Sequence, residues 1–177
     1  MTMDASVRTF PHEVTRLVVD VGQPYDDFRQ RYEEAVPALD KRQLDTLIDR
    51  AASWEDAVAQ TTADAPHGFL IYWKTDTTPL MKLAGNRWRC VAYSMGNHVI
   101  AEWMFRHDPS VMLYAPLRTA IYVAGEGHTY FAVDQPSTCF SSFGNAAITE
   151  VGLELDDKLA ALLAVLGAAV LAELTKQ

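Results

Sequence analysis

Thr119 to Val133 reads TAIYVAGEGHTYFAV, two runs of β-branched and aromatic residues held apart by Ala124-Gly125-Glu126-Gly127. Thr119–Val123 and His128–Val133 favour extended backbone, and a short Gly-containing connection folds them together as an antiparallel hairpin. Neighbouring parallel strands need a long crossover instead, so this stretch argues against an all-parallel sheet.

Outward from the hairpin, the upstream strands are equally legible. Phe69 to Thr75 (FLIYWKT) is aromatic and β-branched. Trp88 to Tyr93 alternates, placing Trp88, Cys90 and Ala92 on one side and Val91 and Tyr93 on the other. Val14 to Val21 makes a further strand, closed by Gly22. Helices fill the intervals. Pro24, Asp26 and Asp27 suit a first turn, and Tyr25, Phe28, Tyr32 and Val36 share a face until Pro37. Asp40 with Gln43 has capping-box spacing, and Ser53 with Asp56 starts a second short helix. Thr78-Pro79 opens another, ended by Gly85, and Asn97 caps one that runs to about His107. A short helix is expected over Ser137–Phe143. Ile148, Val151, Leu155, Leu159, Leu162 and Leu166 then form one buried face of a long closing helix. The fold class is α+β: an antiparallel or mixed sheet with helices packed on it. It is a single domain with a core at about 14–36 and 69–166 and a helical insertion at about 39–65.

Composition narrows the partners. Acidic residues number 23 against 15 Lys and Arg, a net charge of -8, which repels nucleic-acid phosphates and anionic lipid. Neither nucleic acid nor membrane is therefore an expected partner. Cys90 and Cys139, the two cysteines, suit a reducing compartment and read as core thiols. Met1 to Phe10 holds Asp4, Ser6 and Arg8 and is not expected to be a signal peptide. Leu159 to Ala172 is uncharged but only 14 residues long, against about 20 for a bilayer span. It reads as a buried or subunit-interface helix, and a cytoplasmic homodimer is expected.

Tyr93 to Pro136 (YSMGNHVIAEWMFRHDPSVMLYAPLRTAIYVAGEGHTYFAVDQP) resembles the core of the bacterial family called domain of unknown function 302. That family's pattern is a Cys-Asn-Pro-like helix start, a helix ending near Asp-Pro, an apolar segment leading to a Pro-Cys pair, a hairpin, and a turn with Asp and Pro. Phe69 to Asp76 and the tail from Phe143 to Leu166 also fit. The resemblance implies a compact α+β domain with an antiparallel sheet, paired as a homodimer. This chain has Gly96-Asn97-His98 and Pro116-Leu117 at the two marked motifs. Both family cysteines are absent, and thiol or soft-metal chemistry loses its ligands here.

Candidate chemistry gathers around the helix start. His98 and Glu102 are four apart, side by side on a helix, as half of a metal site or an acid–base pair requires. No third ligand follows at fixed spacing, so neither metal nor cofactor is expected. Asn97 and His98 also mark a helix N-terminus able to meet an anion, with Arg118 as charge partner and Tyr93 nearby. Three functions compete. The leading one is a binder of a small anionic or aromatic organic ligand between sheet and helices, through Tyr93, Asn97, His98 and Arg118. The second is a small acid–base enzyme with His98 at its centre, Glu102 orienting it and Asp134 or Tyr93 assisting. The third is an interaction module built on Leu159 to Leu171.

Overall fold

The computed structural model of the protein describes residues 6–169 and 174. Five strands and seven helices follow one another as β1 (Arg16–Asp20), α1 (Tyr25–Ala35), α2 (Lys41–Asp49), α3 (Trp54–Asp64), β2 (Leu70–Asp76), α4 (Thr78–Leu83), β3 (Cys90–Gly96), α5 (His98–Phe105), β4 (Leu117–Ala124), β5 (His128–Asp134), α6 (Pro136–Phe140) and α7 (Ala146–Val165). Short 3-10 turns at Pro109–Leu113 and Ser141–Phe143 join them. The sheet order is β1-β5-β4-β3-β2, and every neighbouring pair is antiparallel. The fold is α+β. A lone parallel bridge, Ala38 to Ile71, continues the sheet past β2.

Helices cover one face of this sheet. Val91, Tyr93 and Met95 on β3, Leu117 and Ile121 on β4, and Phe131 and Val133 on β5 are buried together. Tyr32 sets α1 on them: its hydroxyl lies 3.1 Å from Thr119 Oγ1 and 3.2 Å from Met95 Sδ. The alternating positions point to the other face and are half-buried or exposed.

Sequence boundaries shift where caps decide them. The reciprocal box forms at Ser53 and Asp56. At Asp40 the carboxylate accepts from the N–H groups of Arg42 and Gln43. β3 begins at Cys90, two residues after Trp88, and continues to Gly96. β4 begins at Leu117, which takes Arg118 into the sheet. Leu159, Leu162 and Leu163 are almost fully buried in the chain's own core. These leucines are committed to the chain's own core, while Ala161, Ala164 and Val165 of the same run are exposed; residues 170 and 171 lie outside those described.

Candidate functional site

Gly96 ends β3 where the backbone must pass Pro116. A Cβ at Gly96 would lie 3.1 Å from Pro116 Cβ and 3.3 Å from its Cα, so only glycine allows this approach without displacement. The two marked motifs thus meet in space. The Ala115–Pro116 peptide is cis. Beyond the contact, Asn97 turns the chain into α5. Its side chain accepts from the N–H groups of Val99 and Ile100, at 2.9 and 3.3 Å, and donates to Gly68 O at 3.0 Å. The first-turn donors that an anion would use are already occupied by this cap.

Under Pro116 lies a cavity of about 120 Å³. Phe69, Met104, Met112, Phe140 and Leu155 supply apolar wall, while Tyr72, Asn97 and His98 bring the polar side chains. His98 is held from two sides. Its Nε2 is 2.6 Å from Thr61 Oγ1 on α3, and its Nδ1 is 2.8 Å from the Tyr72 hydroxyl on β2. Thr61 donates its one proton to Ala57 O at 2.7 Å. It can therefore only accept from His98, which makes the ring the Nε2–H tautomer and leaves Nδ1 to accept from Tyr72. Burial holds the imidazole pKa below its usual value and pushes the Tyr72 phenol up to about 12.

The other sequence candidates fall elsewhere. Glu102 does not orient His98: its carboxylate pairs with Arg106, one turn further along α5. Asn97 and Arg118 do not converge. Arg118 sits opposite Ser94 in the β3–β4 register, between buried Leu117 and Thr119, and so faces away from the helices. A hollow of about 20 Å³ beside Arg118, Asp134 and Cys139 has room for a water at most. Asp134 pairs with Arg16 at 3.4 Å on that same outer face. Tyr93 is buried in the core with its hydroxyl donating to Glu33 at 2.8 Å, remote in role from the cavity. Thr61 and Tyr72, which position His98, carried no signal in the sequence beyond Tyr72's place in an aromatic strand. Cys139 is buried and Cys90 half-buried, both as free thiols. Among the described residues no group of three or more His, Cys, Asp or Glu is arranged to hold a metal ion. No described helix is long and apolar enough to cross a membrane.

A family model, "Domain of unknown function DUF302", matches residues 47–166, a span that includes α3 and the whole cavity wall from Phe69 to Leu155. Among solved structures, the chain is similar to an uncharacterized conserved protein DUF302 from Bacillus stearothermophilus. The two are 18% identical with a TM-score of 0.60, over 85% of this chain and 96% of that one. At that identity the likeness speaks for the fold. No curated protein matches.

Proposed function

The chain belongs to the DUF302 family, and from that premise we propose that it binds a small organic ligand whose apolar end enters the cavity between Pro116, α5 and α7. The carrying observation is the cavity itself: about 120 Å³, apolar-walled, with a tethered imidazole and phenol in its lining. An apolar cavity of about 150 Å³ stays dry and accepts benzene. This one accepts a single aromatic ring or a short acyl chain. Of the two ligand classes the sequence suggested, the geometry favours the aromatic one. Among the described residues no Lys or Arg lines the cavity, and the helix N-terminus is capped by its own Asn97. Acid–base catalysis by His98 is the weaker reading, because both ring nitrogens are engaged and a substrate would have to displace Tyr72 or Thr61. The two free thiols accord with the cytoplasm, where we place the protein.

Titration of isotopically labelled protein with phenol, benzoate and hexanoate, followed by amide shifts, tests the reading. Saturable shifts at Ala101, Met104 and Met112 are expected for phenol at lower concentration than for the two anions. Ala101→Leu, which fills the cavity, should remove them while leaving the rest of the spectrum in place. Absence of saturable shifts there for all three probes, up to their solubility, overturns it.

A further inference from the structure

A second hollow lies between the chain that precedes β1 and the two 3-10 turns. Its volume is about 570 Å³, within the range of roughly 300–1,000 Å³ typical of small-molecule sites. It shares no lining residue with the cavity under Pro116. Phe10, Leu113, Tyr114 and Phe143 make its walls, and the Tyr114 and Phe143 rings meet edge-on at 6.1 Å. Two contacts hold the segment before β1 in place. The Thr15 N–H donates to Thr138 Oγ1 at 3.2 Å, and His12 Nε2 lies 2.9 Å from the Tyr114 hydroxyl.

The polar side chains of this lining are His12, Asp108, Ser110, Ser142 and the Tyr114 phenol, and their protons are already given away. His12 Nδ1 is 3.0 Å from Phe10 O, a carbonyl that can only accept, so Nδ1 carries the hydrogen. In the neutral ring Nε2 then accepts, which spends the Tyr114 proton. Ser110 donates its hydroxyl proton to Asp108 Oδ1 at 2.6 Å, and Ser142 donates to Cys139 O at 2.6 Å. The Ser110 N–H bonds the same Asp108 oxygen at 2.9 Å. Among the described residues nothing donates to Asp108 Oδ2, and Asp108 forms no ion pair. What the lining has left to offer is oxygen lone pairs and one full negative charge, set among aromatic rings.

We propose that this hollow binds an organic ammonium ion with an aromatic or apolar body. An ammonium brings donors and no acceptor, the complement of such a lining, and aromatic faces attract it as well. The chain's own Arg8 behaves in this way: its guanidinium lies 5.9 Å from the Phe10 ring centroid. The Asp108 carboxyl, held below its usual range first by the bonds from Ser110, is lowered further by the Arg8 charge. A net charge of -8 also draws cations towards the surface and repels anions. This site is independent of the ligand reading above.

Benzylamine and benzyl alcohol, matched in size but not in charge, test it through amide shifts on the full chain. At neutral pH the amine is protonated. Saturable shifts at Ser110, Tyr114 and Ser142 are expected at roughly tenfold lower concentration for the amine, the least that a charged hydrogen bond supplies. Shifts at Ala101, Met104 and Met112 report the other cavity and do not count. Asp108→Asn keeps a side-chain oxygen for the Ser110 N–H, so the turn stays capped. It should bring benzylamine down to the affinity of the alcohol. Arg8→Ala removes the competing guanidinium and should tighten benzylamine about two- to threefold. An alcohol that binds as tightly as the amine overturns the ammonium class. An amine affinity unmoved by Asp108→Asn overturns the role of the carboxylate, and no saturable shift with benzylamine in large excess overturns the site.

Discussion

Asp156, in the middle of α7, caps α6 from outside it: its carboxylate accepts from the Ser137 N–H at 3.0 Å and the Ser137 hydroxyl at 2.6 Å. Gln135 donates to the same carboxylate at 2.8 Å. The group is 3% exposed, so its bonds replace water entirely. Asp156→Ala removes the acceptor from three donors and should cost about 3 kcal/mol, since each donor left unmatched in a buried site costs roughly 1–3 kcal/mol. Ser137→Ala, which removes only the hydroxyl, should cost about 1 kcal/mol. Urea denaturation of both variants checks the ordering; equal losses would mean that the backbone bond carries nothing.

Gly96→Ala should destabilise by about 1–3 kcal/mol, the usual cost of an added methyl in a filled site. Its Cβ would meet Pro116 at 3.1 Å and the Pro116 backbone at 3.3 Å, and the backbone cannot swing aside. Because Pro116 is cavity wall, the same change should also weaken ring binding. A variant as stable as wild type would show that the Pro116 segment yields freely.

How much of this was legible follows from the range of each interaction. The hairpin, the Asn97 cap and the apolar face of α7 depend on neighbours a few residues apart, and their spacing announces them. In the sequence Gly96 and Pro116 stand out only as parts of two family motifs, since nothing in the glycine itself names its partner. Asp156 looks like one more charge on a helix until the fold brings Gln135 and Ser137 to it. Thr61 and Tyr72 reach His98 from 37 and 26 positions away, beyond any local pattern. The choice of Glu102 as orienter failed for a physical reason. Arg106 competes for it at the same helical spacing, with full opposite charge and solvent to accommodate the pair.

The pH response of His98 has a definite sign. Burial lowers its folded pKa, so the unfolded chain takes up the proton first as pH falls through about 6.5. The unfolded state then holds more protons, and stability drops from there down to the folded pKa. Asp40 and Asp64 line the hollow on the far side of the ring, while the Tyr72 phenol does not titrate in this range. Between about pH 7 and 5 the melting temperature of wild type should fall more steeply than that of His98→Gln. Parallel slopes would remove His98 from the acid response.

Thiol chemistry should divide by burial. Cys139 is 5% exposed, and burial pushes its pKa up, which suppresses the thiolate that reacts. Native protein should react with Ellman's reagent at Cys90 first and at Cys139 only on unfolding, with two thiols titrated in denaturant. Reducing agent should leave the melting temperature unchanged. Fast modification of Cys139 in the Cys90→Ser variant would contradict the packing described for α6.

Arg118 lies on the opposite side of the sheet from the cavity. Had it converged with Asn97, Arg118→Ala would weaken the binding of an anion. With its guanidinium on the outer face, the same substitution should leave phenol and benzoate titrations unchanged. A ligand affinity that drops with Arg118→Ala would reverse the assignment and return this residue to the binding site.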